Sequence, residues 1–108
     1  MKTLKFRENL AKQILNGKKI ITWRLFDDKN LKRGDIISLL IFETEEEFAR
    51  ARLIDVKEKA FAELEDKDWK GHEKFNSEEE MYKTYSKYYK KEITPKTKLK
   101  IIKFELIK

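Results

Sequence analysis

Gly17-Lys18-Lys19-Ile20-Ile21-Thr22-Trp23-Arg24 brings a glycine, three cations, a hydroxyl and a β-favouring run into one short segment, and the rest of the chain is read outward from it. On its N-terminal side, Glu8 to Asn16 carries Leu10, Ala11, Ile14 and Leu15 at helical spacing. Gly17 therefore stands where a left-handed C-terminal cap belongs. On its C-terminal side, Ile20 to Leu25 reads as a strand, and Asp27-Asp28-Lys29-Asn30 as a loop. Lys32-Arg33-Gly34-Asp35 then forms a turn whose glycine tolerates positive φ. Ile36 to Phe42 follows as a nearly continuous apolar run, the pattern of a strand buried on both faces.

Further out, Leu4-Lys5-Phe6 reads as a short opening strand. Thr44 to Glu47 is a polar connection, and Phe48 to Val56 resumes an extended pattern with Arg50 and Arg52 on one face, so the two runs pair as a hairpin. Residues 57 to 76 carry the weakest signal, with a short helical turn around Phe61 to Leu64. Ser77-Glu78-Glu79-Glu80 is a capping box that starts a helix bearing Met81, Tyr82, Tyr85, Tyr88 and Tyr89. After a turn near Thr94-Pro95, Lys98 to Ile107 forms the last strand. That order predicts an α+β fold in residues 1–108 as a single domain: a small barrel or curled sheet of about five to six mostly antiparallel strands with helices at its ends.

The chain's formal net charge of +6 favours polyanions or anionic ligands, although 43% charged residues of both signs also suit a salt-bridged surface. Cysteine is absent, which excludes disulfides, thiolate nucleophiles and sulfur metal ligands. His72 is the only histidine and sits in a polar stretch, where it reads as a solvated surface residue; no metal or other cofactor is expected. No apolar stretch approaches the span of a bilayer and no signal-peptide pattern opens the chain, so a cytoplasmic protein without membrane partners is expected. The Lys- and Glu-rich, cysteine-free profile is the one associated with thermophiles.

Lysine and arginine supply donors and no acceptors, so Lys18, Lys19, Arg24, Lys32 and Arg33 suit an anionic or carbonyl-rich ligand such as RNA, a nucleoside or a nucleotide. Trp23 is either a core residue or a stacking platform. Tyr88 and Tyr89 are placed to rim such a cleft with their hydroxyls outward, while Met81 and Tyr85 belong to the core. Arg24 has a structural alternative as the partner of Asp35 or Glu73. Strand alternation puts Thr22 and Arg24 on one face and Lys19 on the other. Lys19 joins them only if the strand begins at or after Ile20.

On these residues the chain resembles an ASCH domain of the PUA-like superfamily. The signature, Gly-x-Lys with Arg five positions after the Lys, matches Gly17, Lys19 and Arg24, and the order of elements agrees over nearly the whole length. The resemblance implies a PUA-like β-barrel with flanking helices and a ligand cleft lined by the motif. One branch of the superfamily comprises small amidohydrolases that deacylate 4-acetylcytidine with a Lys, a Thr and a Glu. These correspond to Lys19, Thr22 and, across a one-residue gap, Glu73. Ile20 and Lys74 depart from that pattern, which often has Thr and Gly there. In that role Lys19 is the base and must be partly neutral, a state favoured by burial among cations, while Glu73 positions water or the exocyclic nitrogen. Other members bind or cut RNA. The expectation is an RNA- or nucleoside-binding domain, with the amidohydrolase and a protein-interaction module as alternatives.

Overall fold

A computed structural model describes residues 1–26, 29–69 and 75–107. One curled, half-closed sheet of five strands carries the fold, with β1 (Thr3–Phe6), β2 (Ile21–Leu25), β3 (Ile36–Ile41), β4 (Glu47–Ala60) and β5 (Lys98–Ile107) in the spatial order β1-β3-β4-β5-β2. β1 lies parallel to β3, and every other pairing is antiparallel. Three helices flank the sheet: α1 (Glu8–Leu15), the single turn α2 (Asp66–Trp69) and α3 (Glu78–Tyr89). The fold is α+β and consistent with a PUA-like barrel.

The hairpin expected between the central runs is formed by β3 and β4, and β5 extends the same sheet. β4 is longer than the apolar pattern suggested because its second half, rich in Asp, Lys and Glu, stays paired with β5 past a register shift between Leu53 and Asp55. Ile37, Ser38 and Leu39 are buried, but Ile36 is 44% exposed where β3 leaves the preceding turn, so the run is not enclosed along its whole length. Both faces of β5 are covered. Ile102 and Phe104 join Leu4, Phe6, Ile14 and Leu53 in one cluster, while Leu99 and Ile101 join Trp23, Phe61 and Met81 in the other. The weakly patterned middle of the chain contains a 3-10 turn at Phe61–Glu63 and then α2. Ser77 caps α3 as expected, its hydroxyl accepting from the Glu80 amide at 3.1 Å. Among the described residues no helix is long and apolar enough to cross a membrane.

β1 and β2 are the two edge strands, and edge carbonyls need acceptable donors. Cationic side chains from β2 and the loop after it provide them. Arg24 donates to the Lys5 carbonyl at 3.0 Å and Lys29 to the Thr3 carbonyl at 2.5 Å, so side chains link the two edges. The candidate site lies at this seam.

Candidate functional site

The corner that delivers the motif is a Schellman closure of α1. Gly17, at φ +82°, donates to the Ile14 carbonyl at 3.1 Å and Lys18 to the Gln13 carbonyl at 2.9 Å; Lys19 also reaches Gln13, at 3.1 Å. Lys19 is thus held in the corner, before β2 begins at Ile21, and strand alternation does not dictate its direction. Its side chain turns inward, 2% exposed, and its ammonium donates to the Ile21 carbonyl at 3.0 Å.

Thr22, also 2% exposed, and Arg24 project from one face of β2. Arg24 Nη1 donates to Thr22 Oγ1 at 2.8 Å and to the Trp23 carbonyl at 2.9 Å, while Nη2 takes the Lys5 carbonyl across the seam. The guanidinium also lies over the Phe6 ring, 4.7 Å from its centroid. Three hydrogen bonds occupy three of its five N–H groups. No described residue takes the remaining two.

These side chains converge on a cleft of about 220 Å³ that straddles the seam, with Lys5 and Arg7 on the β1 lip and Lys19, Thr22 and Arg24 on the β2 lip. Trp23, Tyr85, Tyr88 and Tyr89 supply aromatic walls. Four cations line the cleft, and among its described lining residues there is no carboxylate. Lys5 is answered outside the lining by Glu45 at 2.6 Å. The other described contacts of Arg24 are to neutral oxygens.

Trp23 lines the cleft while almost wholly buried. It is 1% exposed, donates from Nε1 to the Asp68 carbonyl at 3.2 Å, and meets the Trp69 ring 4.5 Å away. Asp68 is the polar anchor behind that wall. It is 1% exposed; its Oδ2 accepts from Lys59 and from the Glu65 amide, both at 2.9 Å, and Lys57 stands 3.7 Å from Oδ1. Burial pushes the Asp68 carboxyl up, but the hydrogen bonds from Lys59 and the Glu65 amide, with the charge of both lysines, outweigh it and hold the carboxyl below its ordinary value. The hydrogen bond to Asp68 raises Lys59 in turn, against desolvation.

The same architecture recurs in solved structures. A DUF984 protein, EF3133 from Enterococcus faecalis V583, superposes with a TM-score of 0.80 at 15% identity, over 99% of this chain and 76% of that one. The hypothetical protein PH0355 gives 0.73 at 29% identity, over 99% of this chain and all of the other. An ASCH domain from Lactobacillus crispatus JV V101 gives 0.69 at 11% identity, over 97% of this chain and 79% of that one. This chain has the ASCH-domain fold. No family model matches it, and no curated protein matches it in sequence.

Within the ASCH fold of this chain, Lys19, Thr22, Trp23, Arg24, Tyr88 and Tyr89 all line the cleft. Lys18, Lys32 and Arg33 do not: they are exposed at the two turns, outside the lining. Glu73 and His72 fall outside the described residues. Asp35 does not hold Arg24; it is bonded by Lys2 at 2.9 Å and by the Lys32 amide, and these donors keep its carboxyl below the usual range. Tyr88 is 56% exposed, but Tyr89 turns its hydroxyl inward to accept from the Leu25 amide at 3.2 Å, because an edge strand has an unpaired amide to satisfy. Sequence reasoning missed Lys5, Arg7, Phe75 and Thr84 as cleft residues. The only available signal was a pair of cations flanking Phe6 at the end of a short strand.

Proposed function

We propose that this ASCH-fold protein binds RNA or a nucleoside-type ligand in the seam cleft. The observation that carries the reading is the lining itself: Lys5, Arg7, Lys19 and Arg24 gathered beside a buried hydroxyl and several aromatic walls. An anionic or carbonyl-rich ligand finds donors from Arg24 and Arg7, while Tyr88, 56% exposed, offers a ring for a splayed base. Titrating a short single-stranded RNA and cytidine at low salt tests it. RNA binding is expected to weaken steeply as salt rises, because each phosphate contact releases counterions. No binding of either at low salt overturns the reading and leaves the protein-interaction module.

A second reading, hydrolysis of a 4-acylated cytidine, is favoured by one observation. Arg24 donates directly to Thr22 Oγ1, and a cation so placed stabilises negative charge developing on that hydroxyl. In this reading Lys19 is the base and the products are cytidine and the free acid, water supplying the oxygen and protons. The role of Glu73 rests on its place in the sequence. Incubation with 4-acetylcytidine separates the readings: release of cytidine and acetate by the wild-type protein supports the enzyme, and intact substrate with nucleoside binding preserved removes it.

A further inference from the structure

A second groove shares Arg24 with the cleft. It measures about 280 Å³ and is lined by Arg24, Phe26, Glu58, Lys98, Leu99 and Lys100. Its floor is a consequence of register. Arg24, Lys100 and Glu58 are successive cross-strand partners on β2, β5 and β4, so their side chains share one face. The feature that distinguishes it from an ordinary charged surface is Phe26. Its backbone has φ +53°, a conformation costly for a bulky residue, and the residue is 48% exposed. The ring is also held in place. Tyr89 meets it edge-on with centroids 5.7 Å apart, and the Lys91 ammonium lies 4.2 Å from its centroid.

A strained backbone that leaves a steadied aromatic side chain half exposed, in a groove whose described lining carries three cations and one carboxylate, fits stacking on a flat ring system. We propose that the Phe26 groove is a second nucleotide subsite, so that the ligand is a single-stranded oligonucleotide spanning both depressions rather than a free nucleoside. One base enters the seam cleft, the intervening phosphate meets Arg24, and the neighbouring base stacks on the face of Phe26 opposite Lys91, with Lys98 near its backbone. Glu58 opposes a further phosphate at the far wall and accepts from an exocyclic amino group instead. The inference rests on the nucleic-acid reading of the cleft and deepens it.

Phe26→Gly is the informative variant, because glycine accepts positive φ and removes the ring without imposing a new strain. The probes are cytidine 5′-monophosphate and a four-nucleotide oligocytidylate, titrated at one salt concentration into wild-type protein, F26G and F26Y. The tetramer is expected to bind wild type about tenfold more tightly than the monomer, the range of one base–aromatic stack. F26G should lose most of that ratio with monophosphate affinity unchanged, and F26Y should retain it. A ratio unaffected by F26G, or a tetramer no tighter than the monomer, overturns the second subsite while leaving the cleft reading intact. Failure of wild type to bind either probe overturns both.

Discussion

Arg24 and Lys59 are both cations held by several hydrogen bonds, and their partners set them apart. Lys59 is answered by carboxylates, Asp68 at 2.9 Å and Glu65 at 3.4 Å, and its charge is neutralised within the fold. Among the described residues Arg24 is answered by a hydroxyl and two backbone carbonyls, acceptors that satisfy its geometry and carry no charge. One arrangement holds α2 against β4; the other holds two edge strands together through neutral acceptors. A cation bound only to neutral acceptors is therefore the better indicator of a ligand than a cation in an ion pair, because an anion arriving at it meets no resident competitor.

The comparison predicts its largest effect on stability at Asp68. Asp68→Ala leaves Lys59 half-buried without its acceptor, frees the Glu65 amide, and loosens the wall behind Trp23. Denaturant unfolding should show a loss of about 3 kcal/mol, the low end for breaking a buried pair because Lys59 retains some access to water. Acid unfolding sharpens the point. The folded carboxyl lies below its unfolded value, so its contribution is fully present above about pH 4 and is lost as pH falls through the folded value. Asp68→Asn should flatten that acid limb. An acid limb unchanged in the asparagine variant would mean that the pair contributes nothing through charge.

Arg24 should show the opposite profile, a smaller loss of stability and a large loss of ligand. Arg24→Ala is expected to cost about 1 kcal/mol from the seam and β2 hydrogen bonds. It should also weaken RNA binding about tenfold or more, and lower the slope of log affinity against log salt by about 0.7 if one phosphate contact is lost. Arg24→Lys should recover charge but not the fork that spans Thr22 and Lys5, and so recover only part of the affinity. If Arg24→Ala destabilises the protein as much as Asp68→Ala and leaves the salt slope unchanged, Arg24 is a clasp and nothing more.

Lys19 separates binding from chemistry. Lys19→Arg keeps a cation in the corner, so affinity should fall by no more than a few fold. Any deacylation of 4-acetylcytidine should disappear, since guanidinium stays protonated and cannot act as a base. An arginine variant that still releases cytidine at the wild-type rate would end the assignment of Lys19 as base.

How far these residues were legible in the sequence follows from how local their causes are. The α1 cap, the start of β2, the β3–β4 hairpin and the Ser77 cap each depend on a few adjacent residues, and each stands where the spacing put it. Lys19, Thr22 and Arg24 were recognisable because they share one segment. Lys5 and Arg7 were not, because they reach the cleft only through the parallel pairing of β1 with β3 and the curl that brings the β1 edge to β2. Nor was Asp68: a four-residue helix has too little periodicity to announce itself, and its ion pair with Lys59 is formed between segments. Lys18, Lys32 and Arg33 share a sequence signal with the cleft residues but lie outside the cleft lining, since a turn cation reads the same in sequence whichever way the fold points it.

The smallest expected effect tests whether the Asp68 cluster works as a pair or as a field of charge. Lys57 stands 3.7 Å from Asp68 Oδ1 and its side chain is 37% exposed, so water screens the attraction and the distance is too long for a direct hydrogen bond. Lys57→Met keeps the apolar stem that covers the sheet while removing the charge. It should change stability by no more than about 0.5 kcal/mol, against the several-fold larger effect at Asp68, and should leave RNA affinity and its salt dependence untouched because Lys57 lies outside the cleft lining. If the methionine variant instead approached the alanine variant of Asp68, the carboxylate would be held by the summed field of both lysines. The contrast with Arg24 would then rest on the number of surrounding charges rather than on the partners each cation directly touches.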